Sequence, residues 1–327
     1  MDLSTTYMGL KLKNPIIASS SKLTSQIDLV KKCADSGAGA IVLKSLFEEQ
    51  LLADRNKLMD QDHKYFWFPE AVDYIDSHAR EHGVKEYLKL IEDSKKETDV
   101  PIIASVNCIT PKEWPAMVKH LESSGADGIE LNISIFPSDE NIESCDLEET
   151  YIKILEEVKK HVTIPVAVKL GSMLTNPFRT VRKMCETGMD GVVLFNRYFR
   201  PDIDIDDEKI IGDNIFSSPS ETTLPLRWVS LLSTKVDCDI CANTGIHDAE
   251  AMVKHLLAGA SAVEICTTLY NNGIEYIDQM LKDLENWMYH KNYKSVADFK
   301  GKMHKDYGNA AAFVRVQFLK KALGELV

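Results

Sequence analysis

Polar side chains end several apolar, β-branched segments of this 327-residue sequence. Lys44 and Lys169 each follow at least three apolar residues, and Asn107, Asn132 and Asn196 end similar segments. A single such residue is commonly a solvated loop residue, but five at comparable positions predict one shared site. A buried ammonium group needs an anionic or electron-rich partner. The pattern therefore predicts a pocket for a phosphate or an electron-rich ring.

Two later segments predict where a phosphate would bind. The stretches "ANTGI" (242–246) and "CTTL" (266–269) end the last two apolar segments. Gly245 allows close approach of the backbone, and N–H groups at a helix start attract anions. An ordinary turn glycine is the alternative interpretation.

The elements that must position these residues alternate between strands and helices. Strands that are apolar throughout, alternating with amphipathic helices, predict parallel βαβ units. Eight such units predict a (β/α)8 TIM barrel, whose active face lies at the carboxyl ends of the strands. An open doubly wound sheet is the alternative. The predicted strands are 15–20, 40–45, 101–107, 128–134, 165–171, 191–196, 239–245 and 262–268.

We expect residues 1–327 to form a single domain. Residues 46–82 and the acidic stretch 197–221 are predicted insertions over the active face, because each follows the carboxyl end of a strand. Residues 305–327 are predicted to form a C-terminal helical extension that packs against the core or a second copy.

Composition narrows the function classes. The formal net charge of -12 excludes a general nucleic-acid or anionic-membrane binder. No signal peptide and no apolar run of transmembrane length is visible, so a cytoplasmic location is expected. Seven scattered cysteines favour reduced thiols over a disulfide framework. Cys238 and Cys241 have CxxC spacing but no second ligand pair, so we expect core thiols and no metal site.

Several motifs in order resemble the dihydroorotate dehydrogenase family, in particular its class-1 branch. They run from about residue 3 to residue 303 and comprise "MGLKLKNPIIASSS", "GAGAIVLKS", "GIELNIS", "PVAVKL", "LFN", "LPLRWVSLL", "NTGIHDAEAMVKHLLAGASAVEICTTL" and "YKSVADFKGKM". The resemblance implies an FMN-binding barrel that oxidises dihydroorotate to orotate in pyrimidine biosynthesis.

The resemblance also implies site residues. Lys44, Asn132 and Asn196 would bind substrate. The residues implied for FMN are Ala18, Ser19, Lys44, Ser45, Asn107, Asn132, Lys169, Asn196, Ser218, Asn243, Thr244, Gly245, Cys266 and Thr267.

The sequence departs from the family at its catalytic position. The family's base is a cysteine that takes a proton while hydride leaves to the flavin, and Ile135 stands there. Isoleucine cannot take a proton. Pro137 replaces a substrate asparagine, and Arg197 replaces a serine or threonine. Cys108 and Cys145 are candidate substitute bases, with Tyr65 and His63 as further possibilities. Ser218, Thr244 and Cys266 replace glycines near the flavin.

Three functions remain open at this point. The first is an FMN-dependent oxidoreductase whose substrate departs from the family's or whose base lies elsewhere. The second is a catalytically lapsed FMN- or phosphate-binding protein with a sensing or scaffold role. The third is an aldolase-type barrel with Lys169 as the Schiff-base former. The resemblance implies a homodimer and leaves open a partner iron–sulfur subunit.

Overall fold

The computed structural model describes residues 1–47, 83–108, 114–135, 140–198, 200–212 and 215–303. A β-hairpin, β1 (Thr5–Tyr7) and β2 (Leu10–Leu12), precedes a closed barrel of eight parallel strands. The prediction of a (β/α)8 barrel is therefore confirmed. The barrel strands are β3 (Ile16–Ala18), β4 (Ala40–Val42), β6 (Ile102–Cys108), β7 (Gly128–Ile133), β8 (Val166–Gly171), β9 (Gly191–Asn196), β12 (Asp239–Asn243) and β13 (Ala262–Ile265). The short β5 (Leu46–Phe47) extends the β6 edge.

Helices surround the barrel. They are α1 (Ile27–Asp35), α2 (Gly83–Glu97), α3 (Trp114–Ser123), α4 (Ser144–Lys159), α5 (Pro177–Glu186), α6 (Thr223–Leu232), α7 (Ala249–Ala258), α8 (Thr267–Asn272) and α9 (Tyr276–His290). The ends of α7 follow from sequence. The Asp248 side chain accepts from the backbone N–H of Ala251, and Gly259 ends the helix at φ 113°.

Two apolar cores result from the alternation of side chains along the strands. Residues such as Ile41, Leu131 and Val168 point outwards and pack beneath the helices. Residues such as Val42 and Ala167 point inwards, with Tyr7 of the first hairpin closing the lower end of the barrel. The inward positions nearest the carboxyl ends are polar instead, and these positions form the candidate site.

The structure alters two predicted boundaries. Thr267 and Thr268 begin α8 instead of ending the last strand. The stretch 197–221, predicted as a connection, contains an antiparallel hairpin, β10 (Asp202–Asp204) and β11 (Lys209–Ile211), and a 3-10 helix, Pro219–Thr222. Most of the predicted insertion 46–82 and the whole C-terminal extension 305–327 lie outside the described residues, as do Tyr65 and His63.

One cysteine pair departs from the expectation of reduced thiols. Cys185 at the end of α5 and Cys238 before β12 form a disulfide, with their Cα atoms 5.8 Å apart. Their sequence separation of 53 concealed the pairing in the sequence. Cys241 is a buried inward-facing thiol, as expected.

Candidate active site

The strand register brings the predicted polar residues into one layer. Asn107 on β6 lies beside Asn132 on β7, which in turn lies beside Lys169 on β8. Asn196, at the end of β9, donates from Nδ2 to Oδ1 of Asn132 over 2.9 Å. Four of the five polar residues that the sequence singled out thus meet at the carboxyl end of the barrel.

Asn107 contributes a buried amide group to this layer. Its side chain is 2% exposed, and its Nδ2 group has no hydrogen-bond partner among the described residues. A buried amide donor without a partner costs about 1–3 kcal/mol, so native proteins rarely keep one. A ligand carbonyl or ring nitrogen in this layer would satisfy it.

Lys169 lies at the floor of the layer within a buried ionic cluster. Its Nζ atom is 2.7 Å from Oε2 of Glu264 and 3.6 Å from Oε1 of Glu130. Nζ also donates to Oγ of Ser19 over 3.1 Å, and Ser19 Oγ donates to Glu264 Oε2 over 2.9 Å. Both glutamates are 1% exposed. Neither glutamate was singled out from the sequence.

The cluster fixes the charge state of Lys169. Burial alone would lower the pKa of its ammonium group, but the two neighbouring carboxyl groups and the hydrogen bond to Glu264 together outweigh burial and raise that pKa. Lys169 is therefore protonated at neutral pH. A protonated amine has no lone pair with which to attack a carbonyl, so the cluster argues against the aldolase reading.

A row of serine hydroxyls lines the adjoining wall. Ser20 Oγ lies 3.0 Å from Ser45 Oγ, which lies 2.9 Å from Ser105 Oγ. Lys44 is buried beside this row, with Nζ 5.3 Å from the ring centre of Phe47. Lys44 and Ser45, which were both predicted to bind FMN, therefore lie on the β4 side of the opening.

A polar cleft runs from Lys169 to the ends of β12 and β13. It includes eight of the residues predicted to bind FMN, which are Ser19, Lys169, Asn196, Asn243, Thr244, Gly245, Cys266 and Thr267. Ala18 lies within β3, completely buried, and does not line the cleft.

In the stretch "ANTGI" (242–246), Thr244 and Gly245 both have a left-handed backbone conformation, with φ of 76° and 78°. Thr244 compensates by donating from Oγ1 to the carbonyl of Phe195 over 2.9 Å. A Cβ atom at Gly245 would overlap with the backbone nitrogen of Thr222. Gly245 is therefore needed for close packing of the 3-10 helix and is more than an ordinary turn glycine.

Ser217, which the sequence reading passed over, lines the cleft in place of its neighbour Ser218. Ser217 Oγ donates to Thr267 Oγ1 over 3.2 Å and lies 3.1 Å from Nε2 of His247. Ser218 is exposed and its hydroxyl lies 2.8 Å from that of Ser220. A Ser-Ser pair before a helix gave no signal for choosing between the two.

Arg197 borders the same cleft and is held by Glu221. Its Nε atom donates to Glu221 Oε2 over 2.9 Å, and one terminal nitrogen donates to the carbonyl of Ile215 over 3.2 Å. Burial would raise the pKa of the Glu221 carboxyl, but its hydrogen bonds to Arg197 and to the Ser218 backbone, with the nearby arginine charges, together outweigh burial and hold that pKa below its ordinary value. This ion pair stands where the family has a small hydroxyl.

Ile135 does not face the opening. Its side chain packs against the core between barrel and helices.

The preceding residue, Ser134, is buried and continues the inward series from Asn132. Its hydroxyl bonds to that of Tyr198, which also bonds to Tyr151. Tyr198 reaches so close to Gly171 that a Cβ atom there would overlap with its hydroxyl.

Of the two candidate thiol bases, only Cys145 has a described side chain. Cys145 is exposed near the start of α4, where its Sγ atom lies 3.9 Å from Oδ1 of Asp146. The backbone of Cys108 ends β6, but its side chain lies outside what the structure describes, as does Pro137. Hydroxyls, at Ser134, Tyr198 and Tyr151, are the proton-bearing groups described next to the Ile135 position.

Within the described part of the chain, no group of three or more acidic, histidine or cysteine side chains could hold a metal ion. The described helices also include none that is long and apolar enough to cross a membrane.

The structure is a (β/α)8 barrel with a polar cleft at the carboxyl ends of its strands, and comparison with known proteins gives the family. The family model described as dihydroorotate dehydrogenase matches residues 2–288. The chain belongs to the dihydroorotate dehydrogenase family.

Individual relatives match over nearly their whole length. The chain is 27% identical over 316 residues to the dihydroorotate dehydrogenase B (NAD(+)) catalytic subunit of Thermoplasma volcanium, covering 92% of this chain and 98% of the relative. It is 28% identical over 298 residues to the protein of the same description from Methanocaldococcus jannaschii, covering 89% and 94%. The corresponding protein of Methanothermobacter thermautotrophicus is 27% identical over 321 residues, covering 92% and 98%.

Proposed function

We propose that this chain is an FMN-dependent oxidoreductase that interconverts dihydroorotate and orotate, or a closely related dihydropyrimidine, as a step of pyrimidine biosynthesis. The observation that carries the proposal is the layer formed by Asn107, Asn132, Lys169 and Asn196. It combines amide donors and acceptors with one cation at the carboxyl ends of neighbouring strands. A planar ring with alternating carbonyl and N–H groups matches that set.

The residues present fit FMN. The unpartnered Nδ2 of Asn107 needs an acceptor, and a flavin ring carries carbonyl and ring-nitrogen acceptors. The cleft continues from Lys169 to Thr244, Gly245 and Thr267, which would hold the phosphate end. FMN would supply hydride transfer, and the chain's own residues would bind and orient the ring and move the accompanying proton.

The proton would travel through hydroxyls instead of a thiol. Tyr198 bonds to both Ser134 and Tyr151, and Tyr151 bonds to the backbone at Ile135. Burial raises the pKa of the Tyr198 hydroxyl. That hydroxyl is therefore protonated at neutral pH and is a better proton donor than acceptor. We expect oxidation of dihydroorotate to be slow at neutral pH and to accelerate as the pH rises.

The relatives suggest how the chain is assembled. Three of them are described as catalytic subunits that use NAD(+), which supports a partner subunit that passes electrons to NAD. We also propose a homodimer, a cytoplasmic location, and one domain formed by the whole chain with the insertions 46–82 and 197–221 over the active face.

The first experiment is a test for the cofactor. The purified protein should show the absorbance of oxidised flavin, and FMN should be identified in the supernatant after denaturation. A matched pair, Asn107→Ala and Asn141→Ala, separates a buried amide of the layer from an exposed one of the same type. Only Asn107→Ala should weaken FMN binding. A colourless protein that fails to take up added FMN contradicts the proposal.

The second experiment is turnover. Dihydroorotate is supplied with fumarate, NAD(+) or an artificial dye as acceptor, and orotate is measured. We expect a rate about 10²–10⁴-fold below that of a cysteine-bearing relative, since general-base catalysis contributes that much. FMN-loaded protein that neither oxidises dihydroorotate nor reduces orotate at any pH would refute the substrate.

A further inference from the structure

The two glutamates beside Lys169 are placed to share one proton. Oε1 of Glu130 and Oε1 of Glu264 are both buried and have no hydrogen-bond partner among the described residues. Both carboxyl groups approach the same ammonium group, at 3.6 Å and 2.7 Å from Lys169 Nζ. One proton would satisfy both oxygens, because a protonated carboxyl group donates and a carboxylate accepts. With that proton, the cluster contains one carboxylate, one neutral acid and one ammonium group.

The geometry identifies which acid is ionised. Lys169 Nζ lies 2.7 Å from Glu264 and 3.6 Å from Glu130, and Ser19 donates to Glu264 alone. Burial and the nearby Glu264 charge raise the pKa of Glu130 well above its ordinary value. At Glu264, burial would raise the pKa, but the charge of Lys169 and the hydrogen bonds of this carboxyl group together outweigh burial and lower it. Glu264 is therefore the carboxylate.

The cluster is consequently neutral although it contains a lysine. Lys169, Glu264 and Ser19 all line the cleft, whereas Glu130 does not. An unpaired ammonium group in this place would strongly stabilise negative charge on a bound ring, because charges interact strongly where water is excluded. A carboxylate at 2.7 Å cancels most of that field.

We propose that Glu264 is a positioning residue that holds Lys169 and neutralises it, so that the cleft stabilises an anionic flavin only weakly. The inference rests on the proposed function, since it concerns the flavin. An oxidised flavin ring is neutral, whereas its reduced form carries a negative charge near neutral pH. Glu264 therefore keeps the electron affinity of the bound flavin low, which favours passing electrons onward.

The test uses sulfite as a probe of positive charge beside the ring. The sulfur lone pair forms a bond to flavin N5, and the displaced electron pair leaves negative charge on the ring, so no other reactant is needed. FMN-loaded wild type is compared with Glu264→Gln and with Glu130→Gln. The second variant is the matched control, because it replaces a neutral acid with a neutral amide.

We expect Glu264→Gln to bind sulfite about tenfold or more tightly and to raise the flavin midpoint potential. Glu130→Gln should stay within about threefold of wild type. Glu264→Asp, which keeps the charge, should restore affinity towards the wild-type value. In Glu264→Gln, Glu130 could ionise in its place, so Glu130→Gln/Glu264→Gln is measured as well and should bind sulfite at least as tightly as Glu264→Gln.

A further variant keeps the test decisive if Glu264→Gln fails to fold. Lys169→Gln/Glu264→Gln removes the ion pair while leaving the cluster neutral, so its sulfite affinity should stay near that of wild type. An affinity more than about tenfold weaker would show that Lys169 was not neutralised and would overturn the inference. Equal sulfite affinity and potential in wild type, Glu264→Gln and Glu130→Gln/Glu264→Gln would also overturn it. A wild type that binds no FMN would instead overturn the proposed function, and the inference with it.

Discussion

The two sides of the barrel opening differ in what they retain of the family pattern. On the side proposed to bind the FMN phosphate, at β12 and β13, Thr244 stands where the family has glycine, yet the backbone keeps φ at 76°. On the side proposed to bind substrate, at β7 and β9, Ile135 and Arg197 replace groups whose side chains would touch substrate. A backbone conformation can be kept when the side chain changes, whereas a chemical role carried by a side chain is lost with that side chain.

The difference between the two sides follows from the kind of ligand group that each would bind. A phosphate is held by backbone N–H groups and hydroxyls, so the shape of the chain matters most. A substrate carbon needs a proton acceptor at a defined point, and Ile135 turns away into the outer core. We therefore expect changes on the phosphate side to affect cofactor retention and stability, and changes on the substrate side to affect rate.

The largest effect is expected when the buried ionic cluster of Lys169, Glu130 and Glu264, which lies beneath both sides of the opening, is disrupted. Lys169→Met leaves the Glu264 carboxylate buried without its cation, and removing one partner of a buried ion pair costs about 3–5 kcal/mol. We expect that loss in the free energy of unfolding at pH 8, measured with urea. The loss should shrink at pH 5.5, where Glu264 can take up a proton. An equal loss at both pH values would show that charge is not the cause.

On the phosphate side, Gly245→Ala can be compared with Gly9→Ala. Both glycines lie at positive φ, but only a Cβ at Gly245 meets another group, the Thr222 backbone. Gly9→Ala should cost about 1–2 kcal/mol from backbone strain alone. Gly245→Ala should cost about 1–3 kcal/mol more, and should also weaken FMN binding. Urea unfolding and FMN titration measure both effects, and equal costs would mean that the close packing at Gly245 is unimportant.

On the substrate side, Tyr198→Phe removes the hydroxyl that bonds to Ser134 and Tyr151. If that hydroxyl exchanges the substrate proton, the rate of flavin reduction by dihydroorotate should fall about 100-fold, the lower end of general acid–base contributions. FMN affinity should not change. Tyr151→Phe is the control and should cost less, because it lies one hydroxyl further from the opening. Stopped-flow traces at several pH values provide the measurement, and an unchanged pH profile in Tyr198→Phe would exclude the role.

The sequence predicted the barrel and its polar layer well, because strands buried on both faces give long apolar runs that end in polar residues. Glu130 and Glu264 were missed although each interrupts an apolar run, "GIELNIS" and "AVEICTT". An acidic residue within a buried barrel strand indicates a partner of opposite charge inside the barrel, and Lys169 could have been identified as that partner. The positions of Tyr198 and Arg197 could not be predicted, because side-chain directions after a strand depend on loop conformation.

The smallest expected effect lies beneath the phosphate side, at His255. This residue is completely buried on α7, and its Nε2 atom lies 2.9 Å from Oγ1 of Thr222, next to Gly245. Burial lowers the pKa of His255 to about 4. The unfolded chain has a histidine pKa of about 6.5, so below that value it binds a proton that the folded protein does not.

The sign of the pH dependence follows from this difference. Because only the unfolded chain takes up the proton between about pH 6.5 and pH 4, the His255 contribution to stability is complete above pH 6.5 and is lost as the pH falls. The loss between pH 7 and pH 5 should be roughly 2 kcal/mol. His255→Gln can keep the bond to Thr222 without titrating, so its free energy of unfolding should fall less over this range than that of wild type. Parallel pH curves for the two proteins would show that His255 titrates normally, and the phosphate side would then lack this acid sensitivity.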